Sequence, residues 1–165
     1  MDYTFKSSTK RLTLGLVGVG ILAIVYAVLT GIPGQRIWAN LLVNSYFFVG
    51  IGLMGTLWMA IQYASEAGWS TGFKRVPEAI SQFLLIGGPI LLLVLFAGSH
   101  NFQLHHIYHW MDPDLIDPNS DHYDSIIAGK SAFLNEPFFY ARSVAYIFIW
   151  IAFTVFFRRS SLKED

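Results

Sequence analysis

The sequence predicts an all-α, polytopic membrane protein: a bundle of four transmembrane helices with a long outer loop between the third and the fourth. Three observations carry this. The chain has 165 residues, 54% of them hydrophobic and only 13% charged, against roughly 25% charged in an average soluble domain. Four segments are long and apolar enough to cross a bilayer. Lys and Arg are divided unevenly between the two sides that those segments would separate.

Composition also excludes whole classes. A domain of about 150 residues still exposes roughly a third of its unfolded surface, and this chain has too few polar groups to cover that area. Disorder needs low hydrophobicity and high net charge, whereas here the net charge is zero and the mean hydropathy is +0.48. A neutral chain has no overall basic field, so no nucleic-acid partner is expected. With no cysteine, this chain can hold no disulfide, iron–sulfur cluster, thiolate zinc site or thiol nucleophile.

Crossing the hydrocarbon core takes about 20 predominantly apolar residues. The first candidate, residues 12–30, is uncharged. It follows a basic tail as a signal peptide does, but its length and lack of a small-residue cleavage site read as a retained helix. The second, residues 41–64, is also uncharged, and the third covers residues 79–98. The fourth, residues 138–157, carries one charge, Arg142, near its start. Only helices and closed barrels satisfy the backbone in lipid, and these runs are too long and too little alternating for barrel strands. They form a single membrane domain over residues 1–165.

Orientation follows from the basic residues. Lys6, Lys10, Arg11, Lys74, Arg75, Arg158, Arg159 and Lys163 lie on one side, against Arg36, Lys130 and Arg142 on the other. The expectation is that both termini are cytoplasmic. Residues 31–40 then form a short outer turn and residues 65–78 a cytoplasmic loop. The outer connection, residues 99–137, holds all five histidines, six of the eleven acids and three of the six prolines. Loops longer than about 12–15 residues are usually functional or disordered, so this one is the first place to look for chemistry.

Its strongest cluster is His100, His105, His106 and His109, followed by Trp110, Met111 and Asp112. If the third helix continues past Gly98, His105 and His109 stand at i, i+4 and His106 and His109 at i, i+3, which places the imidazoles on neighbouring parts of one face. Three readings stay open. Two histidines can share a metal, given a third ligand among Asp112, Asp121, His122 and Asp124. An interfacial helix can present histidines to lipid headgroups or a partner subunit. Histidine, which titrates near neutral pH, can handle protons beside a quinol. The other three helices contain no histidine, so a bis-histidine haem site is not expected.

Inside the spans, Gly87, Gly88 and Pro89 sit at mid-membrane in the third helix. The proline removes a bond to the Leu85 carbonyl and should kink the helix. Glycines at 15, 18 and 20 and at 50, 52 and 55 let helices approach closely. Arg142 can snorkel outward or pair with Glu136 or another loop acid. At the inner end, Gln62, Tyr63, Glu66, Arg75, Glu78, Ser81 and Gln82 make a polar collar. It reads either as solvated helix ends or as an inner half-channel for protons, with Gln62, Glu66, Arg75 and Glu78 as its candidate residues. No acid stands at mid-depth, so a complete proton wire is not supported.

Several stretches also carry a family resemblance. They are Ile61-Gln62-Tyr63-Ala64-Ser65-Glu66-Ala67-Gly68-Trp69-Ser70, Phe73-Lys74-Arg75-Val76, His106-Ile107-Tyr108-His109-Trp110-Met111-Asp112-Pro113, Ile127-Ala128-Gly129-Lys130-Ser131-Ala132-Phe133-Leu134-Asn135 and Phe157-Arg158-Arg159-Ser160-Ser161-Leu162. Together they resemble the N-terminal part of an ActF-type membrane subunit (polysulfide reductase/NrfD-like) of bacterial alternative complex III, a quinol:cytochrome c oxidoreductase. None of these motifs is a catalytic signature. The resemblance implies four-helix bundles in the bacterial inner membrane. It also implies partners: an NrfD-like quinol subunit, an iron–sulfur subunit, and multihaem and monohaem cytochrome c subunits, with the haem c and Fe–S clusters held by those partners. The family's subunit is much longer than this chain, which is expected to be a fragment ending after the first bundle or a half-length relative. Any contact with quinol or menaquinol is expected at the outer site. There His106 or His109 would accept a proton, Asp112 would orient the imidazole, Trp110 would stack on the ring and Arg142 would stand nearby. The rivals are a small transporter or proton channel, a purely structural assembly subunit, and a metal-binding membrane protein.

Overall fold

A computed structural model describes residues 6–99 and 107–163. All regular structure among them is helical, and four helices are long and apolar enough to cross a membrane. The chain divides into two compact units, Met1–Ile37 and Trp38–Asp165.

The first unit is built on α1, Ser7–Leu29. It starts five residues before the apolar run, because apolarity marks bilayer thickness rather than helix length, and Lys6 to Arg11 can propagate a helix in water. It ends in a Schellman motif. Gly31 takes the left-handed conformation at φ 71°, the Gly31 N–H donates to the Val28 carbonyl and the Ile32 N–H to the Ala27 carbonyl. Glycine adopts that conformation without steric cost.

After Pro33 the chain enters α2, Gly34–Ala64, whose residues from Trp38 onward belong to the second unit. Most of the turn expected over residues 31–40 is therefore helical. Pro33 supplies the carbonyl for the first bonds, from Arg36 N–H at 2.9 Å and Ile37 N–H at 3.4 Å, and nothing in Gln35 to Asn40 breaks a helix. A 3₁₀ turn, Gly68–Gly72, leads into α3, Arg75–Ser81, and α4, Leu84–Ala97. These two pieces form the third span, Arg75–Ala97. The segment expected as one helix over 79–98 thus starts earlier and is interrupted at Gln82 and Phe83. There Phe83, Leu85 and Ile86 donate to the carbonyls three residues back, the tighter 3₁₀ pattern. Helix α4 itself runs through Pro89.

Short turns His109–Met111 and Pro113–Leu115 and a single helical turn, α5, Ser125–Ala128, build the connection that follows. Helix α6, Glu136–Lys163, closes the chain. It runs six residues past the predicted end, because Arg158 to Lys163 remain good helix formers after the apolar run stops.

The second unit packs α2, α4 and α6 around Val49, Leu84, Leu91 and Ile147, with Leu53, Trp150 and Ile151 against them. Small residues set the spacing. A Cβ on Gly55 would stand 2.7 Å from the Pro77 carbonyl oxygen, and one on Gly88 2.9 Å from Ile147. A buried bond of 2.6 Å joins the hydroxyls of Thr56 and Thr154, tying α2 to α6. Large apolar side chains face outward, among them Leu93, Phe148 and Phe156, as lipid-facing surfaces require.

Gly55→Ala should destabilise the protein by about 1–3 kcal/mol, the usual cost of overpacking, because the obstacle is backbone. Gly50 has nothing within 4 Å of its virtual Cβ, so Gly50→Ala should leave stability unchanged or slightly raised. Thermal denaturation in detergent micelles compares the two.

Candidate functional site

The residues of the predicted inner collar come together at one end of the second unit. The last turns of α2 present Trp58, Met59, Gln62 and Tyr63, spaced so that they share one helix face, and Glu66 follows just past the helix end. Across from them stand Ser70 and Thr71 of the 3₁₀ turn, Lys74 ahead of α3, Pro77 and Glu78 of α3, and Ser161 of α6. These side chains line a cavity of about 320 Å³.

Glu78 holds this end together. It is 5% exposed, and a buried carboxylate needs partners. Its Oε2 accepts from Arg75 Nη1 at 2.7 Å. Its Oε1 accepts from the Ser161 hydroxyl. The Ser81 hydroxyl donates to the Glu78 backbone carbonyl at 2.7 Å. Beside this, Arg158, which entered the sequence reading only through the count of basic residues, donates to Gln82 Oε1 and fastens α6 to the α3–α4 junction. Tyr63 stacks on Phe157 with ring centroids 5.7 Å apart.

Two features of the cavity wall are costly. Gln62 Oε1 is buried and has no hydrogen-bond partner, which costs roughly 1–3 kcal/mol. Glu66 adopts φ 49°. Its N–H donates to the Tyr63 carbonyl and the Ala67 N–H to the Gln62 carbonyl, the same Schellman bonding that ends α1. Here the left-handed position is filled by glutamate instead of glycine, at a cost of about 1–2 kcal/mol.

Ser161 and Trp58 were not among the residues picked from sequence. A signal for Ser161 exists: Thr154, Arg158 and Ser161 recur at i, i+4, i+7, a polar stripe on one face of α6. Each member bonds a different neighbour, namely Thr56, Gln82 and Glu78.

At the opposite end α4 does not continue into the histidine cluster. Helix α4 stops at Ala97 with Gly98 as its cap. His100, His105 and His106 lie outside the described residues. His109 opens a separate 3₁₀ turn, preceded by Tyr108 at φ −114°, ψ 79°. His109 therefore does not stand on a continuation of α4.

His109 is exposed. Asp112 does not orient its imidazole: Asp112 Oδ1 accepts from the Asp114 N–H at 3.1 Å, capping the turn Pro113–Leu115. Trp110 packs edge-on against Phe139, with centroids 5.4 Å apart. Arg142 does not pair with Glu136, which instead accepts from the Tyr140 hydroxyl at 2.5 Å. The Arg142 guanidinium lies over Phe133 at 3.8 Å and near Phe138 at 4.9 Å, and its Nη1 is buried without a hydrogen-bond partner. Aromatic faces attract a cation when few anions are within reach. No hydrogen bond or ion pair joins His109, Asp112 and Arg142 among the described residues.

The metal candidates separate likewise. Asp124 accepts from the Ile126 and Ile127 N–H groups as the cap of α5, while Asp121 and His122 are exposed. No group of three metal-ligating side chains forms among the described residues. The described part of the loop, from residue 107 on, is held by its own backbone bonds. The Asp124 N–H donates to the carbonyl of buried Leu115, fixing α5 against the preceding turn. Burial pushes the Tyr108 hydroxyl up to about 12, with nearby Tyr140 adding to the effect.

Two outcomes follow. Ser161→Ala removes a donor to a buried carboxylate and should cost about 1.5–3 kcal/mol, read as a lowered melting temperature in detergent. Tyr108 ionises near pH 10 when unfolded and near pH 12 in the fold. Its contribution to stability is therefore full below pH 10 and lost as pH rises toward 12. In a tyrosinate absorbance titration, Tyr108→Phe should remove one group that titrates above the rest. No protein-family model matches the chain, and no curated protein matches it.

Proposed function

We propose that this chain is an integral membrane subunit of a respiratory quinol:cytochrome c oxidoreductase of the bacterial inner membrane, with both termini cytoplasmic. Its task is to anchor outer-side electron-transfer subunits: the iron–sulfur subunit and the cytochrome c subunits, beside an NrfD-like quinol subunit. Catalysis belongs to the whole complex.

The observation that carries this reading is the loop at the histidine end. Asp112 and Asp124 are spent on capping turns, Trp110 and Tyr108 are packed on α6, and His109 is left exposed on a folded surface. That arrangement suits docking. It lends no support to a quinol site at His109, because His109 and Asp112 are not joined. The sequence resemblance supplies the identity of the assembly.

The rival is a small transporter or proton channel, favoured by the polar cavity at the other end. A path from that cavity would have to continue along the interior of the second unit. Beyond the cavity stand the closed Thr56–Thr154 pair and the packed side chains of Val49, Leu84, Leu91 and Ile147. This packing supports the subunit reading.

The test is purification of the tagged protein from its native membrane in mild detergent, with an absorbance spectrum and identification of partners. Co-purified c-type haem and iron–sulfur subunits, with quinol-dependent haem reduction, are expected. A colourless protein alone in its micelle would overturn the proposal.

A further inference from the structure

We infer that the cavity bounded by Gln62, Glu66 and Glu78 binds the headgroup of a zwitterionic aminophospholipid, with its ammonium between Gln62 Oε1 and the Glu66 carboxylate. This stands independently of the oxidoreductase reading, and either can fail without the other.

The volume is the first constraint. About 320 Å³ lies at the small end of the roughly 300–1,000 Å³ range of ligand pockets, which suits a headgroup better than a large soluble cofactor. The wall's chemistry is the second. Gln62 Oε1 is an acceptor, buried and unpartnered, so the missing group is a donor. An ammonium offers three donors and no acceptor. An anion in the same place would face that oxygen and two carboxylates, and an apolar group would leave the oxygen unsatisfied. Glu78 is already matched by Arg75 and Ser161, which leaves Glu66 as the carboxylate for an incoming cation.

Glu66 adds a separate argument. Strained backbone persists where the surroundings impose it, and it concentrates at sites that bind or react. The left-handed position at the end of α2 would be relaxed with glycine, as Gly31 is at the end of α1. A glutamate there fixes a carboxylate at the cavity mouth. Trp58, 39% exposed, adds an aromatic ring to the same cavity lining. Lys74 also lines this wall and brings a positive charge to it.

A lipid, rather than a soluble amine, fits the position of the cavity. The last turns of the apolar span α2 line it, and Leu57 and Ile61 of the same turns, 51% and 50% exposed, offer apolar surface for acyl chains.

The experiment is native mass spectrometry of the full chain in mild detergent, offered phosphatidylethanolamine, phosphatidylglycerol and free phosphoethanolamine in turn. Phosphatidylethanolamine should be retained about tenfold over phosphatidylglycerol, since one charge-assisted hydrogen bond is worth about that factor. Glu66→Gly should lose about tenfold in retention while keeping or raising the melting temperature, because glycine suits that backbone. Gln62→Leu should show a similar loss, so the result does not depend on one variant's folding. Equal retention of the two lipids would overturn the inference, as would undiminished binding in both variants. Displacement by free phosphoethanolamine would overturn it in favour of a soluble amine.

Discussion

Close backbone approach is the constraint on which the second unit depends. Lipid tails are as apolar as leucine, so no hydrophobic force sorts one helix from another inside a bilayer. What remains is packing and the hydrogen bonds that packing permits. At Gly55 the backbones of α2 and α3 come so near that a methyl group would meet a carbonyl oxygen at 2.7 Å. That nearness brings the end of α2 and the start of α3 around a common space, and Glu78 then reaches α6. The cavity is the volume left where the helices part and the connecting turn spans the gap.

The polar groups of this end reinforce one another in a fixed order. Glu78 is buried by the helices around it, and burial obliges it to hold Arg75 and Ser161. Those partners in turn hold α3 and the last turn of α6 in place. Arg158 and Gln82 repeat the arrangement one turn away. Toward the middle of the unit the pattern reduces to the single threonine pair, and then to hydrocarbon.

Much of the fold was legible in the sequence because bilayer thickness is written as apolar length. The four spans follow from it, and their extra turns at Ser7, Gly34 and Lys163 do not, since water as well as lipid supports a helix. The break at Gln82 and Phe83 had no sequence signal comparable to Pro89; there Gln82 accepts a bond from Arg158 of α6, a partner 76 residues away. At the collar, Gln62, Glu66, Arg75 and Glu78 were legible as polar residues near one membrane face. Their convergence with Ser161 was not, because a contact across 83 residues of chain leaves no local trace. The histidine spacing rested on a condition, that the third helix continues past Gly98. A helical period has meaning only where the chain is helical, and α4 stops at Ala97.

The interruption between α3 and α4 carries a geometric consequence. A 3₁₀ residue advances about 120° around the axis and about 2.0 Å along it, against about 100° and 1.5 Å in an α-helix. Over the three such bonds of this junction the difference amounts to less than one helical residue. The buried positions keep one line through it: Glu78, Ser81, Leu84, Leu91 and Val94 recur at helical spacing on both sides of the interruption. At one end of that line Glu78 bonds Ser161 of α6, and further along Leu84 and Leu91 lie in the apolar core. The third crossing therefore carries a single inward edge, ionic at its tip and hydrocarbon along its length, and the local tightening leaves that edge unbroken.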